Sequence, residues 1–220
     1  MLGYKVAKSF GKRVVITLEI PEDAITNLKR SNIVNAETAK YRTMKAKVIK
    51  IEDSDGKTYN EAVSFNYDKN SLTYKLDEEL VSHDFDMNLE NVCAGGIHFF
   101  LTKHVAETYG LLSIENGILT LWHENGVKQE EATFVNNKKH GLYCSWHENG
   151  VKQMEGTFEN GKAQGIQYGW YENGKKCYEF PVLDNYKHGE CHEWNRDGGQ
   201  YTFTFTHGKS VDGRECCVIA

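Results

Sequence analysis

Trp122-His123-Glu124-Asn125-Gly126-Val127-Lys128 returns residue for residue as Trp146-His147-Glu148-Asn149-Gly150-Val151-Lys152. It returns again as Trp170-Tyr171-Glu172-Asn173-Gly174-Lys175-Lys176 and loosens to Trp194-Asn195-Arg196-Asp197-Gly198. The four tryptophans of the chain are spaced by a fixed step of 24, and Gly117, Gly141, Gly165 and Gly189 keep the same step. A constant period of this size marks one supersecondary unit stacked on itself.

Each unit carries two turn signals. The first is Asn125-Gly126, Asn149-Gly150, Asn173-Gly174 and Asp197-Gly198; the second is Asn136-Asn137, Asn160-Gly161, Asp184-Asn185 and His207-Gly208. Asn-Gly between apolar-patterned runs is a strong hairpin signal. Two turns in each unit leave two strands, so four units give an antiparallel β-meander of about eight strands. Strand residues alternate sides, which puts Ile118, Thr120 and Trp122 on one face, and likewise Leu142, Cys144 and Trp146. If Glu124-Asn125-Gly126 is a three-residue loop with glycine left-handed, Trp122 stands opposite Lys128. Ala132 and Phe134 then share the tryptophan face, and the same pairing puts Met154 and Phe158 beside Trp146. In the fourth unit Tyr201, Phe203 and Phe205 have the other parity, which predicts a two-residue Asp197-Gly198 turn with Trp194 opposite Tyr201. Glu190 and His192, standing where earlier units have apolar residues, suit a terminal cap.

These units resemble the MORN repeat, in the variant form found in bacterial antitoxin-like proteins and marseillevirus-type giant viruses. The likeness rests on the Trp-x-Glu-Asn-Gly-x-Lys cores, the aromatic after them, and the closing His140-Gly141 and Asn160-Gly161-Lys162. It implies a binding or assembly surface with a protein as its partner. The row of Trp122, Trp146, Trp170 and Trp194, with Phe134 and Phe158, is then the core of the sheet or, where uncovered, its binding residues. Some MORN proteins associate with phosphoinositide membranes. Over residues 113–215, however, acidic residues outnumber basic ones 15 to 11. Binding nucleic acid or anionic lipid by bulk charge needs the reverse, so no nucleic-acid partner is expected.

The first half reads differently. Val14, Ile16, Leu18 and Ile20 alternate as in a half-buried strand ended by Pro21. Further strands are expected at 45–51, 61–65, 72–76 and 96–101, with a polar loop from Asn27 to Ala39. Thr102 is placed to cap a helix over Lys103 to Tyr109, closed by Gly110. The expected fold class is α+β: a mixed α+β head over 1–112, then four repeats over 113–213 (117–140, 141–164, 165–188 and 189–213) and a tail over 214–220. Gly3-Tyr4-Lys5, Ala46-Lys47-Val48, Tyr74-Lys75 and Cys93-Ala94-Gly95-Gly96-Ile97-His98-Phe99-Phe100 resemble an uncharacterised domain of phages and large DNA viruses. That resemblance implies a viral origin, in the virion or the host cytoplasm, with other virion or capsid proteins as partners. Gly96-Ile97-His98-Phe99, with Ala106 and Tyr109, is also similar to the Gly-Ile-Tyr-Phe strand and helix of ADP-ribosyltransferases. No first-strand histidine or catalytic glutamate can be matched, and Ile97 and Phe99 read equally as core.

Composition sets the remaining bounds. At 220 residues, 40% hydrophobic and with a net charge of −5, the chain can build a core and needs no charged partner. It has no apolar run near the ~18 residues of a membrane span and begins without a signal-peptide pattern. Its six cysteines show no C-x-x-C or framework spacing, as expected of reduced thiols in a cytosolic compartment. Cys217-Val218-Ile219-Ala220 fits a C-a-a-X prenylation signal, and Cys216 beside it could carry a second lipid, which would bring the C-terminus to a membrane. Histidines in successive units stand about two strand spacings, roughly 10 Å, apart, too far to share a metal ion. No phosphate loop or nucleophile elbow is present. The sequence therefore leads to a non-enzymatic structural or interaction protein with no catalytic residues, metal or cofactor. Two alternatives stand: an antitoxin-like binding module, and a degenerate ADP-ribosyltransferase-like domain centred on His98.

Overall fold

The computed structural model describes residues 1–65 and 71–211. The lipidation candidates Cys216 and Cys217, with the rest of the tail from 212 on, lie outside the described residues. Two compact units divide the chain: Met1–Tyr109 together with Trp122–Val127, and Gly110–Leu121 together with the chain from Lys128 on.

The regular structure of the first unit is nearly all antiparallel strand, joined by long loops. It contains β1 (Leu2–Ser9), β2 (Lys12–Glu19), β3 (Lys40–Thr43), β4 (Lys45–Glu52), β5 (Glu61–Val63), β6 (Thr73–Lys75), β7 (Glu79–Val81), β8 (Ile97–Phe100) and one short helix, α1 (Lys103–Thr108). Its sheet runs β3-β8-β1-β2-β4-β7, with β5 and β6 joined beyond Lys8 of β1. The expected mixed α+β head is thus corrected to a β unit with little helix. Strands β1, β3 and β7 escape the sequence reading because their apolar pattern is broken. Within β1, Gly3 leaves room for the Phe99 ring, which a Cβ there would approach to 2.7 Å, while Lys5 takes a core-side position. One face packs Ala7, Val14, Ile16, Leu18, Ile20, Tyr41, Val48, Ile51 and Phe99 into the main core. The other packs Val15 and Phe100 under Val105 and Ala106 of α1, with Tyr4 and Trp122 against them. Thr102 precedes α1 with extended backbone, but its hydroxyl donates to Glu37 O instead of capping the helix.

The repeats form the expected antiparallel meander. Its strands are β9 (Gly117–Trp122), β10 (Lys128–Val135), β11 (Lys138–Trp146), β12 (Lys152–Glu159), β13 (Lys162–Trp170), β14 (Lys176–Leu183), β15 (Tyr186–Lys187), β16 (Gly189–Trp194), β17 (Gln200–Thr206) and β18 (Lys209–Ser210). They lie in chain order from β9 to β18, with β15 on the end of β14. The turns at 136–137, 160–161, 184–185 and 207–208 are two-residue loops with both residues at positive φ. That is the twist-matched geometry Asn, Asp and Gly favour.

The other turns of the first three units are three-residue loops, as the spacing predicts: His147 N donates to Val151 O, Gly150 N to His147 O, and Gly150 sits at φ +84°. Trp146 faces Lys152 and Trp170 faces Lys176. The expected face does not follow. Ser145 pairs with Met154, so Gln153 is an extra bulged residue just past the turn, and Cys177 occupies the same place one unit later. One added residue reverses every later side chain. Met154 and Phe158 therefore lie on the face opposite Trp146, and Phe134 joins Leu119, Ala132 and Tyr143 in a core on that same side. The fourth unit is corrected too. Asn195 N donates to Gly199 O and Trp194 pairs with Gln200, so its loop also has three residues. It lacks only the bulge, and this missing residue makes it one shorter. Phe205 thereby reaches the shared core of Ala163, Phe180, Val182 and Cys191.

Candidate functional site

With the core on the other face, three of the four tryptophans stand on the open side of the repeat sheet, while Trp122 is packed within the first unit and is not part of an open binding row. Trp146, Trp170 and Trp194 are half-buried there, beside a row of exposed aliphatics at the same repeat position, Ile118 (65%), Leu142 (55%) and Ile166 (43%). Each unit adds a lysine that crosses to the next tryptophan. Lys128 Nζ lies 5.0 Å from the centre of the Trp146 ring, Lys152 5.8 Å from Trp170 and Lys176 5.4 Å from Trp194. The same lysines pair with Glu131 (2.7 Å), Glu155 and Glu179 (2.8 Å). The hydrogen bond that Lys152 donates to Glu155 raises the pKa of Lys152 against the opposing effect of burial. The result is a ladder of indole, ammonium and carboxylate groups, neutral overall but able to stack, donate and accept. A cation over an indole contributes about 0.5–1 kcal/mol at such exposed sites.

The residues after each tryptophan stitch neighbouring turns together. His147 Nε2 donates to Trp170 O (2.8 Å), and Tyr171 Oη donates to Trp194 O (2.7 Å). Asn149 spans the same gap, its Nδ2 donating to Glu172 O (2.8 Å), while its Oδ1 accepts from Val151 N inside its own loop (3.0 Å). Asn125 and Asn173 accept in the same way from Val127 N and Lys175 N. The repeated Glu-Asn-Gly is thus a loop device, as its periodicity suggests.

The first turn is held differently, within the first unit. Its carbonyls accept from a ring of head donors: Val34 N and Asn35 N to Asn125 O (2.9 and 3.1 Å), Lys40 N to Glu124 O (3.1 Å), Arg30 Nη2 to Glu124 O (2.5 Å) and Thr38 Oγ1 to Gly126 O (2.6 Å). Gly126 is buried against Asn35 and Ala39, where any Cβ would overlap the Asn35 carbonyl. Trp122 packs on the helix-side cluster and meets His104 edge-on at 5.7 Å. The Glu124 carboxylate accepts from Lys40 Nζ (3.3 Å) and from the Cys93 thiol (2.6 Å), and Lys40 also reaches Tyr109 Oη (3.2 Å). Burial works to lower the Lys40 pKa, but Tyr109, Cys93 and Glu124 together raise it. Burial, then the bond to Glu124, raises that of Cys93. A protonated ammonium and an un-ionised thiol make a polar clamp, not a nucleophile, since sulfur attacks as the thiolate. No sequence signal marked this clasp.

His98 and Arg42 share the same neighbourhood. Arg42 is fully buried, its guanidinium donating to the carbonyls of Asn91, Asp86, Gly95 and Asn88, which fastens the 86–95 loop to β3. His98 Nε2 donates to Val92 O (2.8 Å). Burial first, then Lys40 and Lys5, hold its pKa down at about 4, so its ring is neutral near pH 7. It shares its face of β8 with Phe100, while Ile97 and Phe99 fill the main core on the other side.

Comparison with known families follows the same division. Residues 1–106 match a family of unknown function (DUF5758). No curated protein matches the chain. Residues 115–136 and 139–160 match the MORN repeat variant, and the hairpins of the third and fourth units continue the same antiparallel meander.

Proposed function

We propose that this is a non-enzymatic binding protein whose tryptophan-bearing face takes a protein partner. One observation carries the reading: the face with the indoles and the Ile118, Leu142 and Ile166 row is the open one, and the aromatic core fills the other. Large apolar groups left uncovered in a contiguous row mark interaction surfaces, and tryptophan is enriched among residues that dominate binding energy. The match to the MORN repeat variant agrees with such a role. Following the resemblances of both halves, the setting we propose is a large DNA virus, with the protein acting in the virion or the host cytoplasm among other viral proteins. Lipid on Cys217 and Cys216 would draw it to membranes.

The test is a photoreactive phenylalanine analogue at position 142, irradiated in producing cells, with the same analogue at Val34 as a reference. The expected result is an adduct of discrete mass from position 142 that disappears when Trp146→Ala and Trp170→Ala are added. No adduct from 142, or an adduct indifferent to both tryptophans, would overturn the reading.

A further inference from the structure

The head grips the first repeat turn through features of that turn alone, and the same turn occurs a second time in the chain. Trp122 to Gln129 and Trp146 to Gln153 are identical over eight residues. Both form the same three-residue loop, with Gly126 N donating to His123 O and Gly150 N to His147 O at 2.9 Å, and with the two glycines at φ +87° and +84°. In the first, Gly126 is buried and Asn125 half-buried against the head, with Glu124 at the exposed rim; Glu148, Asn149 and Gly150 of the second are all exposed.

The clasp reads three things. The loop carbonyls of residues 124, 125 and 126 meet five donors from Arg30, Val34, Asn35, Thr38 and Lys40. A carboxylate at the first loop position meets Lys40 and Cys93. The third loop position must lack a Cβ, because Asn35 and Ala39 close on it. Glu148-Asn149-Gly150 meets all three requirements, and so does the exposed third loop, Glu172-Asn173-Gly174, although its flanking residues differ. The fourth loop, Arg196-Asp197-Gly198, fails the second, since it would set a guanidinium against Lys40.

We infer that the head is a receptor for a Glu-Asn-Gly hairpin turn, filled by residues 122–127 of its own chain, and that when this turn leaves, the receptor takes the identical turn 147–151 of a second copy. The chain's own turn is tethered beside the receptor and wins at low concentration by its effective concentration. Once it is displaced, the contact between copies joins unlike surfaces, head to repeat, and leaves each copy with one donor and one acceptor end. Contacts of that kind propagate into rings or open chains. This interaction uses the turn edge of the repeats and does not depend on the tryptophan-face reading.

Sedimentation velocity on the full chain tests it. Glu124→Lys sets like charge against Lys40 and should release the first turn; the variant is expected to associate with a dissociation constant about tenfold or more below that of the wild type. Adding Glu148→Lys with Glu172→Lys puts the same repulsion on both turns able to enter and should return the chain to monomer. Should Glu124→Lys unfold the head, Gly126→Ala displaces the turn by sterics alone, and Gly150→Ala with Gly174→Ala is then the reverting change. A folded Glu124→Lys or Gly126→Ala chain that stays monomeric throughout would overturn the inference. So would association that survives the matching changes in both later turns.

Discussion

Gly169 and Gly174 lie five residues apart and would fail on substitution for different reasons. Gly169 has ordinary strand dihedrals, but a Cβ there would enter the Tyr178 ring, which is stacked on Phe180 at 4.6 Å and has little room to yield. Gly174 has open space around it and φ +80°. Gly169→Ala should cost about 1–3 kcal/mol by overpacking and Gly174→Ala about 1 kcal/mol by backbone strain, both read from urea denaturation. His98 makes the head sensitive to acid. Its folded pKa of about 4 lies below the ordinary 6.5, so between those values the unfolded chain binds a proton the folded head refuses. Stability falls as pH drops through that window, by up to about 3 kcal/mol. His98→Gln should flatten the stability curve between pH 7 and 4, measured at fixed urea. Lys5 works through the same physics at the alkaline end. Burial, then Lys40, holds its amine at about 8, so near pH 7 the charged form opposes folding. Lys5→Met should raise stability there by about 1 kcal/mol, discounted for the partial exposure of the side chain, with the gain fading as pH rises from about 8 toward 10.5.

At the scale of the element, the bulged residues decide which side of the sheet is core. Deleting Gln153 should turn Met154 and Phe158 onto the tryptophan face and remove an aromatic from the core, costing about 3 kcal/mol or more. Loss of cooperative unfolding, or a sharp drop in the urea midpoint, is the expected reading; a midpoint like the wild type's would refute the role given to the bulge. This also shows why the sequence was legible only in part. Repeat number, both turn classes and the Trp146–Lys152 pairing follow from Asn, Asp and Gly positions, because those residues enforce local dihedrals. The bulge at Gln153 and Cys177 has no residue type of its own, so counting from the loop puts Phe134 and Phe158 on the wrong face. The one hint is the fourth unit, whose aromatics shift by one in a unit one residue shorter; the residue it lacks belongs to the strand and not to the loop. The clasp on Glu124, Asn125 and Gly126 was illegible for another reason. Its donors come from Arg30 to Lys40, a polar stretch that no periodicity marks.

Across the whole molecule the two faces of the repeat sheet should respond oppositely to mutation. Phe134, 3% exposed, sits in a core, and Phe134→Ala should cost about 3–5 kcal/mol. Trp146→Ala, on the open side, should cost about 1 kcal/mol, chiefly its contact with Lys128, while removing the photo-adduct expected from position 142. The lipid anchor is tested at the same scale: intact mass and membrane partitioning of the chain from eukaryotic cells, beside Cys217→Ser. A farnesyl-sized gain lost in the variant is the expected outcome, and an unmodified chain would refute it.

The 24-residue step has a hereditary consequence. A segment such as 141–164 begins and ends at the same point of the hairpin cycle and returns its aromatics to the same side, so it behaves as a cassette that can be copied whole. Tandem duplication of that segment should lengthen the sheet by two strands, roughly 10 Å, and leave every other residue in its place. The clasped first turn and the shorter last unit mark the ends between which such copies can be inserted. Relatives built on this plan would then differ in span by whole steps, like rulers cut from one stock, while keeping the same two ends.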